Sequence, residues 1–184
     1  KTLWDKTDMS NLRLINETVA DTSVSAITVN NVFSADFDIY KIVSTLNITT
    51  TAGADQDARF VNSSGSIISA SNYDMASLMM RSGDNFLERP TTRTNIDRAD
   101  FWLQQSNTVG GGGVAYIFNP FSSSSYTFYI NQNQGHLVGT YAYGNKQIGV
   151  LKQLTSITGI HIFNGSTSEN FNGGTVKIYG LRVD

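Results

Sequence analysis

The chain has 184 residues, enough for one domain with a real core and too few for two comfortable ones. Charged residues make up 15%, against the ~25% usual in globular domains, and Ser, Thr, Asn and Gly fill the difference, which suits turns and polar strand faces better than helices. A net charge of −2 offers no basic field for nucleic acid or anionic lipid, no apolar run approaches the ~18 residues of a membrane span, and zero cysteines exclude disulfides, Cys-ligated zinc and thiol catalysis.

Lys1 opens the chain with neither an initiator Met nor a signal-like apolar segment, so a piece cut from a longer polypeptide is expected. "KTLWDKTDMSNLRLINETV" has no clean period, and residues 1–30 read as a lead-in or linker packed on a domain spanning 31–184. "SAITVNNVFS" predicts a short strand. Phe37 to Thr49 is the strongest element: Tyr40, Ile42, Leu46 and Ile48 share one parity and Phe37, Ile39 and Val43 the other, predicting a central strand covered on both faces. "ARFVNSSG" reads as a strand entering a hairpin, whereas "IISASNYDMASLMMRS" fits both strand and helix periods.

From Gly83 to Asp100 charge gathers around Pro90 and predicts an exposed connection. "FWLQQS", "VAYIFN", "SYTFYIN", "LVGTYAY" and "QIGVLKQL" follow as short strands, with "NTVGGGG", "PFSSS" and "NQNQGH" as turn chemistry between them. "SITGIHIF" and "GTVKIYGLRV" close the series. In the last, Val176 and Ile178 face one side and Lys177, Tyr179 and Leu181 the other, while Gly180 allows a bulge or a close approach by a neighbour. Many short strands without a long amphipathic helix predict an all-β single domain, an antiparallel β-sandwich of jelly-roll-like form.

Motifs of chemistry are weak. The glycines of "VGGGGV" precede Val, Ala and Tyr instead of the Gly-Lys-Ser/Thr of a phosphate loop, and a flexible hairpin fits them better. Asp55 and Asp57 begin a calcium loop that lacks its other ligands, so a turn before a strand is the simpler expectation. Asp97 and Asp100 stand too near Arg93 and Arg98 to suggest a glycosidase pair, and a salt-bridged loop is expected. His136 falls in a turn, His161 points away from Ile160 and Ile162, and the two have no metal-ligand spacing. Four Asn-x-Ser/Thr sequons, at Asn16, Asn47, Asn62 and Asn164, arise at the frequency this composition gives by chance. No catalytic residue, metal or cofactor is assigned.

One region stands apart. Phe101 through Asn145 contains no Asp, Glu, Lys or Arg, yet is rich in aromatics and holds Asn131, Gln132, Asn133 and Gln134. Aromatic rings beside neutral amides suit sugars, which present C–H faces and hydroxyls. The same composition suits a sandwich core and a Tyr-rich subunit interface. Candidate glycan contacts are Trp102, Tyr126, Tyr129, Asn131, Asn133, Tyr141 and Tyr143, some of which alternation must send to the core.

The closing "YGLRVD", after "SITGIHIF" and a Gly-rich turn, resembles the end of many structural proteins of tailed bacteriophages. "FSADFDIYKIVSTLNIT", with Asp38 and Tyr40, "ARFVNSSGSIISASNYDMA", with Arg59 and Tyr73, and "YIFNPFSSSSYTFY", with Asn119 and Pro120, are similar to successive segments of that family from about Val32 onward. The resemblance implies a non-enzymatic β-sandwich on a virion, as the C-terminal receptor-binding domain of a tail fibre. Expected partners are further copies in a homotrimer, other virion proteins and a host surface polysaccharide. A capsid decoration or head-fibre protein of the same fold is the nearest alternative. A carbohydrate-binding module of a polysaccharide-degrading enzyme and a hydrolase domain are the others.

Overall fold

Alternating segments between turn residues become eleven strands, with no helix, among the residues described by the computed structural model: 11–48, 56–83, 87–99, 101, 111–137, 141–165 and 169–182. The strands are β1 (Leu12–Val19), β2 (Ala26–Val29), β3 (Ile39–Ser44), β4 (Gln56–Asn62), β5 (Tyr73–Arg81) and β6 (Leu87–Ile96). Then come β7 (Gly111–Phe118), β8 (Thr127–Leu137), β9 (Tyr141–Leu151), β10 (Ile157–Asn164) and β11 (Thr175–Leu181). Eight form one antiparallel sheet in the order β1-β11-β3-β7-β8-β9-β5-β6, and three form a second in the order β2-β10-β4. The two sheets pack together as a β-sandwich.

The core lies between them. Inward Tyr40, Ile42, Ile117, Val176 and Ile178 of the large sheet meet Ile27, Val29, Phe60, Ile160 and Ile162 of the small one in one buried cluster. Phe60 stacks on Tyr73 at 6.1 Å and meets Tyr129 edge-on at 6.2 Å, which locks the small sheet to β5 and β8. In β11 Val176 and Ile178 are buried and Lys177, Tyr179 and Leu181 half-buried, as alternation predicts. Gly180 serves a close approach: the Phe37 ring fills the space that its side chain would need.

Five expectations need correction. The described glycines expected in a flexible hairpin open β7 instead, where Gly111, Gly112 and Gly113 pair with Gly135, Gln134 and Asn133 of β8. Part of the lead-in is an integral strand: β1 pairs with β11 from Leu12 to Val19, its apolar period obscured by a bulge between Leu14 and Asn16. The Gly83–Asp100 connection contains β6, an edge strand on β5, where Pro90 is tolerated because one side of the strand has no ladder to complete. "NQNQGH" is not a turn. It continues β8, where pairing to β7 and β9 on both sides overrides the turn preference of Asn and Gly. β3 is central but buries only Tyr40, Ile42 and Ser44; Ile39, Lys41 and Val43 are half-buried on the other face. The ambiguous segment resolves as β5, and "YAY" and "QIGVL" belong to one strand, β9.

Candidate functional site

β8 decides which of the charge-free residues can meet a ligand. From Thr127 the strand alternates without interruption, so Thr127, Tyr129, Asn131 and Asn133 point inward while Phe128, Ile130, Gln132 and Gln134 point outward. Tyr129 is core: its ring contacts Phe60 and, at 5.7 Å, Phe101. Asn131 donates from Nδ2 to Gln147 Oε1 at 3.1 Å, and Asn133 from Nδ2 to the Phe101 carbonyl at 2.7 Å. Tyr143 is buried beside Tyr141, which is half-buried under the Arg81 guanidinium, 4.6 Å from the ring centre. Arg81 Nη1 also donates to the Tyr141 hydroxyl at 3.2 Å.

These placements sort the glycan-contact set by exposure, and Asn133 and Tyr143 also line the hollow described below. Tyr129, Asn131, Asn133, Tyr141 and Tyr143 do share the inward side of β8 and β9, but inward here means enclosed, and Tyr129, Asn131, Asn133 and Tyr143 are 1–7% exposed. Tyr126 is 41% exposed, yet it precedes β8 and stands eight residues, roughly 27 Å of strand, from Gln134. Trp102 lies outside the described residues.

The surface instead presents the neighbouring parity. On the outward side, Gln134 is flanked in register by Gly112 of β7 and Gly144 of β9, so its amide stands over bare backbone. Gln132 is flanked by Val114 and Lys146 in the next row. A hollow of about 960 Å³ opens here, lined among others by Gln132, Gln134, His136, Lys146, Arg81 and Gly112. Gln132, Gln134, His136 and Lys146 are exposed. The volume suits a small ligand. The glycines are constrained by their surroundings as well, since a Cβ at Gly112 would stand 3.0 Å from the Ser44 carbonyl and one at Gly144 3.1 Å from that of Asn133. Chemically the hollow offers two neutral amides, an imidazole, the Lys146 ammonium and the Arg81 guanidinium already engaged with Tyr141, a set that bonds hydroxyls. Lys146, the first residue past the charge-free stretch, means that the hollow is not wholly uncharged. Gln132 and Gln134 were legible by parity, and only the expectation of a turn hid them.

The acidic candidates have other work. Asp97 pairs with Arg59 and, at 3.4 Å, with Arg98; Arg98 Nε in turn lies 3.0 Å from Asp57 Oδ2. Asp57 is 2% exposed, so it is a buried counter-ion rather than half of a calcium loop. This clasp ties β4 to the end of β6, where Ala58 bridges Ala99. The expected salt-bridged segment is therefore present. Asp55 and Asp100 lie outside the described residues. Burial raises the Tyr73 phenol well above its ordinary range; it donates to the Ile68 carbonyl at 3.0 Å as a structural group. His136 is exposed on β8, not in a turn, and His161 lies opposite Ile160 and Ile162 as alternation predicts.

Fold and hollow together define an antiparallel β-sandwich with an amide-bearing depression on the outward face of its larger sheet. No family model, curated protein or solved structure matches the chain.

Proposed function

We propose that this chain is a non-enzymatic module of a tailed-bacteriophage virion, the receptor-binding domain of a tail fibre, and that its outward hollow holds a saccharide of the host surface. The observation that carries the saccharide reading is Gln134 standing between Gly112 and Gly144, with Gln132 and His136 beside it. Amides projecting from a rigid floor can bond sugar hydroxyls with little ordering cost, and the bare glycine backbone lets a ring lie close. The virion setting rests on the sequence resemblance of the segments from Val32 onward.

Each site would bind weakly, and attachment would strengthen through avidity when copies are held together. The test is titration of the chain with a panel of bacterial surface polysaccharides, followed by adsorption to cells bearing the best binder. Binding that is lost in Gln132→Ala/Gln134→Ala, with unchanged circular dichroism, supports the reading. A chain that binds no saccharide yet seats on purified capsids would favour the decoration protein. Affinity that collapses with ionic strength would replace hydroxyl recognition by capture of an acidic group at Lys146.

A further inference from the structure

Polarity is reversed across β8, β9 and β5. Their enclosed side carries Asn131, Asn133, Asn145, Gln147 and Ser77, each at most 9% exposed, while their outward side carries Phe128, Ile130 and Ile148 at 50, 42 and 61%. The apolar residues are not scattered. Register sets Tyr179, Lys41, Tyr116, Ile130, Ile148 and Ala76 side by side across β11, β3, β7, β8, β9 and β5. The next row is Leu181, Ile39, Phe118, Phe128 and Val150, ending at Asp74, and on the other side Val43, Val114 and Leu78 stand in a row with Lys177, Gln132 and Lys146. A second depression of about 740 Å³, lined by Ala76, Leu78, Val114, Tyr116, Ile130 and Ile148, runs through this area.

We infer that this apolar face is the contact between copies of the chain, sheet against sheet. Six strands at ~4.8 Å spacing, crossed by three rows and given a side-chain fringe, make a footprint on the order of 600 Å². That is the upper end of what monomers leave bare, ~300–600 Å². Two such faces together reach the ~1,200 Å² at which specific interfaces become stable. Charge fits a second copy as well. The acids at the margin are already engaged, Glu17 with Lys177 at 3.1 Å and Asp74 with Lys152 at 2.9 Å. Among the described residues the face therefore presents no carboxylate that a second copy would leave unpaired, and Lys41 and Lys146 can extend their ammonium groups past the apolar contact. Two sheets pack at about 10 Å with rows interdigitated, and facing rows of Ile, Phe and Tyr are suited to that. The interface borders the polar hollow, sharing Val114, Gln132 and Lys146 with it.

The experiment is sedimentation equilibrium of the full chain, beside the variants Ile148→Lys and Ile148→Glu. The wild type is expected to associate with itself and each variant to be monomeric, with unchanged circular dichroism. Mixing the two variants is expected to restore association, because opposite charges then face each other across a contact made by the same surface. A monomeric wild type at the highest soluble concentration overturns the inference, as does a variant that assembles like the wild type. So does a mixture that stays monomeric after both parents have lost assembly. Saccharide titration of the monomeric variants keeps this result separate from the fate of the proposed function.

Discussion

Two regions of the large sheet use the same rows differently. In one inward row β11, β3 and β7 present Ile178, Ile42 and Ala115, and β8, β9 and β5 continue it with Asn131, Gln147 and Ser77. The first region is an ordinary sandwich half on its inner side, aliphatic with the small sheet as its lid, while outside Lys41 and Lys177 stand among Tyr179, Ile39, Val43 and Tyr116. The second is inverted, amides in and Phe128, Ile130 and Ile148 out. Enclosing polar atoms without partners costs about 1–3 kcal/mol each, and Asn131 Oδ1, Asn133 Oδ1, Gln147 Nε2, Ser77 Oγ and both amide atoms of Asn145 have none among the described residues. Such atoms also occur at Asn47, Gln56 and Asn164, but they gather most densely on β8, β9 and β5, which are therefore not optimised for the isolated domain. On the interface inferred above, β8, β9 and β5 would be shaped by the copy that meets their outward face.

The largest effects should separate the regions directly. Ile178→Ala removes a fully buried side chain and should cost about 3 kcal/mol in urea unfolding, whereas Ile148→Ala should change the monomer by less than about 0.5 kcal/mol. Equal losses would erase the distinction. Next is Gly149→Ala, where the new methyl would overlap the Tyr129 ring; a loss of about 1–3 kcal/mol is expected. A neutral result would mean that the Tyr129 ring can shift, and that the junction of core and amide seam is softer than its packing implies. A smaller effect of opposite sign is expected in the seam itself. Asn145→Leu keeps volume and removes two unpartnered polar atoms, so it should stabilise by about 1 kcal/mol. Destabilisation of similar size would show the seam to be a satisfied network, and the inversion to be cheaper than argued.

The sequence made the first region legible and misled on the second, for one physical reason. In β11 Val176 and Ile178 alternate with Lys177 and Tyr179, so its period, burial and Gly180 could be read, whereas β3 is apolar on both parities and its outward side was expected to be covered. In β8 the alternation is Asn against Gln, which no hydrophobicity pattern separates, and the flanking glycines imitate a turn. Hence the amide-rich chemistry was visible while its direction was not: Asn131 and Asn133 were chosen as contacts where Gln132 and Gln134 face solvent. β6 was hidden by charge and Pro90, the same features that blunt an edge strand against unwanted pairing. The resemblance to bacteriophage structural proteins guided the functional proposal but did not assign faces.

The smallest predicted effect tests the outward face of the other sheet, which should behave as an ordinary surface. His161 lies there between Thr28 and Arg59 in register, with Nδ1 2.8 Å from Thr28 Oγ1 and its ring stacked on Phe163 at 5.4 Å. Arg59 covers the same Phe163 ring at 4.6 Å. Burial first, and the nearby guanidinium second, hold the imidazole below its ordinary value of 6.5. The unfolded chain therefore takes up the proton more readily than the folded one. The stability that His161 contributes is complete above about pH 6.5 and drains as pH falls through its lower folded value. Asp74, lowered chiefly by its hydrogen bond from Lys152, gives a loss of the same sign at lower, carboxylate pH, so the two windows are separable. Thermal melts between pH 7 and pH 5 should show a shallow decline that His161→Gln flattens. Self-association should not follow that decline, because His161 lies on the outer face of the small sheet and not on the outward face of β8, β9 and β5. A parallel loss of assembly over the same window would move the contact between copies from the large sheet to the small one.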